Sequence, residues 1–267
     1  MKKLKVLFVN QEVEPYVSGT QLSKFGLQLP QTAQEKGAEV RTFMPKFGVI
    51  NERRNQLHEV IRLSGLNLVI AGADHPLIIK VASIQALRLQ IYFIDNEDYF
   101  LRRGILHDED GKPYVDNDQR ALFFAKGVLE TVKKLRWMPD IIHCSGWFTS
   151  MLPMLVRTAY ANDSFFSKVK ILTSLYEDNL KAPFGEQIEE ALQSLKLPDS
   201  VKEALSDANH AALNRMAIDY SDAVAKSDNL ACDELLSYAS EKGKKVYELL
   251  DLENIDEVYQ EIYGKED

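Results

Sequence analysis

The sequence predicts an α/β fold: a mostly parallel sheet with helices on both faces. Three observations predict it. Short apolar runs rich in Val, Ile and Leu recur along the chain, as expected of strands buried on both faces. Segments with apolar residues at helical spacing fall between them. The first elements run strand, loop, helix, strand, which is a βαβ unit.

The elements follow in order. Leu4 to Val9 reads as a buried parallel strand, and a polar loop runs from Asn10 to Thr20. Leu22, Phe25, Leu29 and Ala33 then mark a helix, with Gly37 where a C-terminal cap is expected. Glu39 to Met44 is the next strand, stopped by Pro45. Leu66–Ile70, Leu77–Val81 and Leu87–Ile94 lie too close together for crossover helices. They predict antiparallel hairpins inserted at about 64–94. Gly104 to Asp118 is a polar loop ending in Asp116-Asn117-Asp118, an N-cap cluster. It opens a helix carrying Leu122, Ala125, Leu129 and Val132 on one face. Pro139 breaks the chain. A strand follows over Asp140 to Cys144, then a helix from about Trp147 to Tyr160 and a strand over Val169 to Leu172. Beyond it the pattern is helical, from about 185 to 267. One helix runs from about Gly185 to Leu195. Asp199-Ser200 caps another, whose stripe is Val201, Leu205, Ala208, Ala212, Met216 and Tyr220. Ala223-Val224-Ala225 reads as a last strand, and two or three short helices finish the chain. From Asp251 the final seventeen residues hold seven acidic side chains against one lysine, so a solvated tail is expected. No internal repeat or low-complexity linker divides the chain, and we expect one domain over 1–267.

Composition narrows the function classes. A formal net charge of -8 excludes a generally basic surface for nucleic acid or anionic membrane. Cys144 and Cys232 form neither a disulfide framework nor a metal cluster. The apolar run after Met1-Lys2-Lys3 ends at Asn10, too short for a signal peptide or a membrane span. A cytoplasmic protein without a cofactor is the expectation.

Few residues suggest chemistry by themselves. Asp95, Glu97 and Asp98 could supply paired carboxylates, but as sequence neighbours they read better as a solvated loop. His107-Asp108-Glu109-Asp110 is consecutive, a poor metal arrangement, and no metal site is expected. His143 ends an apolar strand at the sheet edge where ligands bind, and a satisfied, semi-buried histidine is an equal reading. Trp147 could stack on a sugar, though anchoring a helix in the core is favoured. Glu177-Asp178 could line the same edge. No Ser-His-Asp or Cys-His arrangement and no P-loop occurs, so no catalytic residue is assigned.

Five stretches in order carry a family likeness: Lys5–Val9 with Glu12-Val13 and Pro15; Tyr92–Asn96 with Tyr99-Phe100; Asp116–Asp118 before Arg120 and Phe123-Phe124; Trp137 and Pro139–Cys144 with Trp147 and Thr149; and Asp219–Val224. Together they resemble the N-terminal, starch synthase catalytic domain of bacterial glycogen and starch synthases. The resemblance implies one Rossmann-like half of a two-domain glycosyltransferase of GT-B type. It also implies an ancestral transfer of glucose from ADP-glucose to an α-1,4-glucan.

The departures concern the motifs that would do this. Where the family has Lys-Thr-Gly-Gly-Leu, this chain has Ser18-Gly19-Thr20-Gln21-Leu22. A phosphate loop works through glycine backbone N–H groups and a nearby cation; Lys24, four residues past the turn, is a poor substitute. The family's His-Asp-Trp-His-Thr is Ser145-Gly146-Trp147-Phe148-Thr149, and its Thr-x-His-Asn is Thr173-Ser174-Leu175-Tyr176. The chain also ends where the resemblance places the nucleotide-sugar domain. We therefore expect a non-catalytic relative that binds an oligosaccharide, a nucleotide sugar or a protein. The alternative is an acceptor half completed by a separate polypeptide. A homo-oligomer or a protein partner at the open cleft face is a further expectation. Any small ligand should sit at the C-terminal ends of the strands near Val9, Ile94 and Cys144, on Gly19, Thr20, Asn96, His143, Ser145 and Trp147.

Overall fold

A computed structural model describes residues 3–193, 195 and 197–264. Ten strands form the framework: β1 Lys5–Asn10, β2 Glu39–Pro45, β3 His58–Glu59, β4 Leu66–Ile70, β5 Ala73–Ile84, β6 Leu89–Asp95, β7 Ile141–Ser145, β8 Lys170–Leu175, β9 Ala223–Lys226 and β10 Lys245–Glu248. The sheet order is β10-β9-β8-β7-β1-β2-β6-β5-β3, with β4 paired to β5. From β10 to β6 all neighbours run parallel. The expected insertion is antiparallel on both sides of β5. Its first turn, Ala71-Gly72, has positive φ at both residues, the backbone that matches strand twist in a two-residue hairpin.

Nine helices are described: α1 Gln21–Glu35, α2 Glu97–Phe100, α3 Asn117–Lys134, α4 Met151–Arg157, α5 Ile188–Leu192, α6 Asp199–Ala204, α7 His210–Tyr220, α8 Asp233–Glu241 and α9 Ile255–Tyr263. Strand alternation sorts the core onto two faces. Leu7, Val9 and Ile142 join the α3, α4 and α7 side. Val6, Phe8, Ile141 and Leu172 join the side covered by α1 and α9. No described helix is long and apolar enough to cross a membrane.

Four expectations are corrected. Asp116-Asn117-Asp118 makes no side-chain N-cap bond. Asp116 instead pairs with Arg102 (2.5 Å), and Asp118 accepts from the Gln119 and Gln187 backbone N–H groups (both 2.7 Å). The long stripe after Asp199 is two helices, because Ala208 adopts positive φ and the Asn209 side chain caps a new start by accepting from Ala212 N (2.9 Å). The helices expected over 147–160 and 185–195 shrink to α4, preceded by a 3-10 turn over Trp147–Thr149, and to α5. The acidic tail also folds. In α9, Ile255, Val258 and Tyr259 are buried against Phe8 and Phe25, while its acidic residues take the opposite face; Lys265–Asp267 lie outside the described residues.

The strand order reverses between β1 and β7. The chain builds outward from β1 through β2 and β6, then returns to β7 on the other side of β1. Loops leaving the two strands diverge there, and open a crevice at their C-terminal ends. Gly26 sets its width: a Cβ on this residue would overlap the Glu12 carbonyl oxygen, so only glycine lets α1 lie this close to the β1 loop.

Candidate functional site

A cavity of about 490 Å³ occupies that crevice. The β1 loop supplies Gln11, Glu12, Gly19 and Thr20, and α1 begins at its rim with Gln21 and Leu22. Gly146 and Trp147 follow β7, Ser174 to Asp178 end β8, and Asp228 and Leu230 follow β9. Asn214 of α7 and Leu235 of α8 complete the wall.

The β1 loop is held by its own polar groups. Thr20 caps α1 by accepting from Ser23 N (2.9 Å), and its hydroxyl donates to Glu12 Oε2 (2.7 Å). Gln11 accepts from Phe148 N (3.1 Å), and its backbone N–H donates to the Ser145 carbonyl (3.0 Å). Gly146 has φ +88°, and a Cβ there would press on the Gln11 side chain. Thr20 and Gln21 stand at the helix start where a phosphate loop needs bare backbone, so this entrance presents side chains.

Charge distinguishes the cavity. Glu12, Glu177, Asp178 and Asp228 line it, and its described lining holds no Lys, Arg or His. Asp178 accepts from Asn214 Nδ2 (2.9 Å) and stands 2.7 Å from His210 Nδ1. His210 in turn covers one face of Trp147, with centroids 4.3 Å apart and planes 31° apart.

A row of polar side chains ends the strands beneath. Register places Asn10 beside Ser145 and Ser145 beside Ser174. His143, fully buried, lies 2.6 Å from Ser174 Oγ through Nε2 and 2.7 Å from Tyr259 Oη through Nδ1. Burial drives the imidazole down to about 3, so it is neutral in ordinary conditions. Ser227 Oγ donates to Ser174 Oγ (2.8 Å). Tyr176, pushed up to about 12 by burial, keeps its proton.

Of the residues expected to contact a ligand, the structure brings Gly19, Thr20 and Trp147 together on the cavity wall. Ser145 is fully buried beside Ser174. Asn96 is buried away from the lining, where it caps α2 by accepting from Tyr99 N (3.2 Å) and donates to the Pro76 carbonyl (3.0 Å). His143 also lies off the lining, tied into the core between β8 and α9. The cavity extends toward β8 and β9, whereas the expected site reached toward Ile94. Asp95 is buried in an ion pair with Lys80 (2.8 Å), and Glu97 and Asp98 begin α2. Among the described residues no group of three or more His, Cys, Asp or Glu is placed to hold a metal.

Sequence reasoning named neither Asn214 nor Asp228. Asp228 had a signal, since it follows a strand whose C-terminal end had to meet the same edge. Asn214 had none, because it reaches the site from mid-helix. Phe148, where the resemblance implies a histidine, is buried among Phe47, Phe100 and Phe124. The Arg120 guanidinium lies 5.8 Å from its ring centroid, so this position consolidates the core.

Comparison with known proteins supplies the family. Residues 5–250 match the model described as "Starch synthase catalytic domain". A glycogen synthase from Chlorobium limicola is 37% identical over 245 residues, covering 90% of this chain and 49% of that protein. One from Chlorobium chlorochromatii is 41% identical over 173 residues, covering 64% and 35%. The chain spans about half the length of the first of these relatives. The catalytic domain of Starch Synthase IV from Arabidopsis thaliana, solved bound to ADP and acarbose, superposes with a TM-score of 0.73 at 19% identity. It covers 92% of this chain and 51% of that one, and shares the fold. The chain belongs to the glycogen and starch synthase family.

Proposed function

We propose that this chain is a non-catalytic member of the family whose crevice binds a saccharide in preference to a nucleotide sugar. The observation that carries the reading is the cation-free, four-carboxylate lining of the cavity. Like charges in contact repel by roughly 1 kcal/mol in water and about 4 kcal/mol at the effective dielectric of a protein surface. A diphosphate would meet that repulsion without a lysine or arginine in the described lining to offset it. The entrance supports the same conclusion, since Thr20 and Gln21 stand at the family's paired glycines. Amides and hydroxyls from Gln11, Thr20, Gln21 and Asn214 suit sugar hydroxyls. With two unpaired cysteines, the cytoplasm is the compartment that fits.

The test is incubation with ADP-glucose or UDP-glucose and a maltooligosaccharide, alongside titration of each component followed by tryptophan fluorescence. We expect no chain extension and no nucleotide-sugar binding that competes with sugar. Enzyme-dependent elongation of the glucan would overturn the non-catalytic reading. Tighter binding of ADP-glucose than of free saccharides would overturn the ligand class.

A further inference from the structure

Three of the four carboxylates of the crevice, Glu12, Glu177 and Asp228, have no basic partner among the described residues. Among the described residues, no lysine or arginine forms an ion pair with Glu12, Glu177, Asp178 or Asp228. Their bonds are to neutral donors: Thr20 to Glu12, Asn214 to Asp178, and the Leu230 backbone N–H to Asp228 (2.9 Å). Only Asp178 faces a titratable base, His210. Carboxylates gathered in a concave site focus their field into it and attract cations. An ammonium suits such a site, because it is held by hydrogen bonds to separate carboxylates and needs no ligands gathered round one centre, which the described residues do not supply.

A second observation is independent of charge. Tyr176 lines the cavity and is only 7% exposed. Its hydroxyl lies near the Ser145, Ser174 and Ser227 hydroxyls yet makes a hydrogen bond of ordinary geometry to none of them. The Ser145 hydroxyl and both polar atoms of the Asn10 side chain are likewise without partners. Buried polar groups are almost always satisfied; of these orphaned groups Tyr176 alone belongs to the cavity wall, and its hydroxyl is the one that points to a hydroxylated guest.

We propose that the crevice takes an amino sugar, a mono- or disaccharide with a free ammonium group. The carboxylates neutralise the ammonium, while Gln11, Thr20, Asn214 and Tyr176 serve the hydroxyls. The cavity volume lies within the roughly 300–1,000 Å³ of small-molecule sites. This inference rests on the saccharide-binding reading and adds the charge of the guest.

The experiment is calorimetric titration of the whole chain at about pH 6, well below the roughly 7.7–8.0 of an amino group beside electron-withdrawing neighbours, so that the amino sugars carry their charge. The probes are glucosamine, its β-1,4-linked disaccharide, glucose, maltose, N-acetylglucosamine and spermidine. We expect the two amino sugars to bind at least tenfold more tightly than their neutral counterparts, with affinity falling as salt rises. The double variant Glu177→Gln/Asp228→Asn, checked for folding by circular dichroism, should erase that margin. Tyr176→Phe should weaken charged and neutral sugars alike. Equal binding of glucose and glucosamine would overturn the ammonium while leaving the saccharide reading intact. Spermidine binding as tightly as the amino sugars would overturn the sugar component. No response to any probe would overturn both.

Discussion

Two buried titratable residues set opposite pH dependences on stability. His143 titrates near 3 in the native protein because burial disfavours its charged form, against about 6.5 in an unfolded chain. Between those values the unfolded chain binds a proton that the native protein does not. Stability therefore rises with pH across this window and is lost on acidification, by on the order of 5 kcal/mol in full. Asp118 is pushed up to about 6, chiefly by burial and against the pull of the Gln187 and Gln119 backbone N–H donors. Between its unfolded value near 3.9 and about 6, the native protein holds the extra proton, so its contribution falls as pH rises. From about pH 4 to 6 the two slopes nearly cancel. Asp118→Asn removes one of them. We expect the slope of urea-derived stability against pH to be steeper in the variant than in the parent by ~1.4 kcal/mol per pH unit in this interval. Parallel profiles for the two proteins would refute the assignment. By NMR, the His143 imidazole should show no titration above about pH 4.

Among the elements, α9 tests the gap between reading and structure most sharply. Its acidic composition suggests a solvated tail, yet Tyr259 is buried with its ring 6.2 Å from Phe8 and its hydroxyl on His143. A residue on a solvated tail would tolerate substitution within about 0.5 kcal/mol. We expect Tyr259→Ala to cost about 3–5 kcal/mol in urea unfolding. Tyr259→Phe should cost about 1–3 kcal/mol, by leaving His143 Nδ1 unpaired. Losses below 0.5 kcal/mol in both would return the segment to solvent. The apolar strands and the hairpin insertion were legible because buried strands and short gaps leave few alternatives. The short strand β10, Lys-Val-Tyr-Glu, was not, because two of its four residues are charged and its pairing with β9 is set by tertiary context. The helical stripe after Asp199 misled because spacing cannot reveal the positive φ of Ala208. At the site, the edge of the sheet and the β1 and β7 loops were legible from strand order. Glu177-Asp178 after β8 were legible as candidates for the same edge and both line the cavity; its reach to β9 was not, because that depends on which way the strand order runs after β8. For His143 the sequence supports a ligand contact and a satisfied, semi-buried histidine equally, because nothing in the local pattern announces a partner more than a hundred residues away.

For the whole molecule the question is whether these parts unfold as one domain. The pairing is long-range: Lys5–Asn10 lies between Glu39–Pro45 and Ile141–Ser145, so opening the middle of the sheet separates elements from both ends of the sequence. The largest core cluster also includes side chains of the hairpin insertion, such as Leu68 and Ile79, and of the C-terminal helices, such as Leu192 and Met216. A shared core of this kind favours a single cooperative transition. The two tryptophans report from opposite ends of the strands. Trp137 precedes β7 and donates to Glu39 at the start of β2 (2.6 Å), whereas Trp147 follows β7 and lines the cavity. We expect urea curves from Trp137→Phe and Trp147→Phe, each leaving one tryptophan as reporter, to coincide with that variant's own far-ultraviolet circular dichroism curve. An earlier Trp147 transition, with Trp137 unchanged, would mean that the crevice loops and C-terminal helices open as a unit of their own. That outcome would replace one domain over 1–267 with two, and place the ligand crevice at their junction.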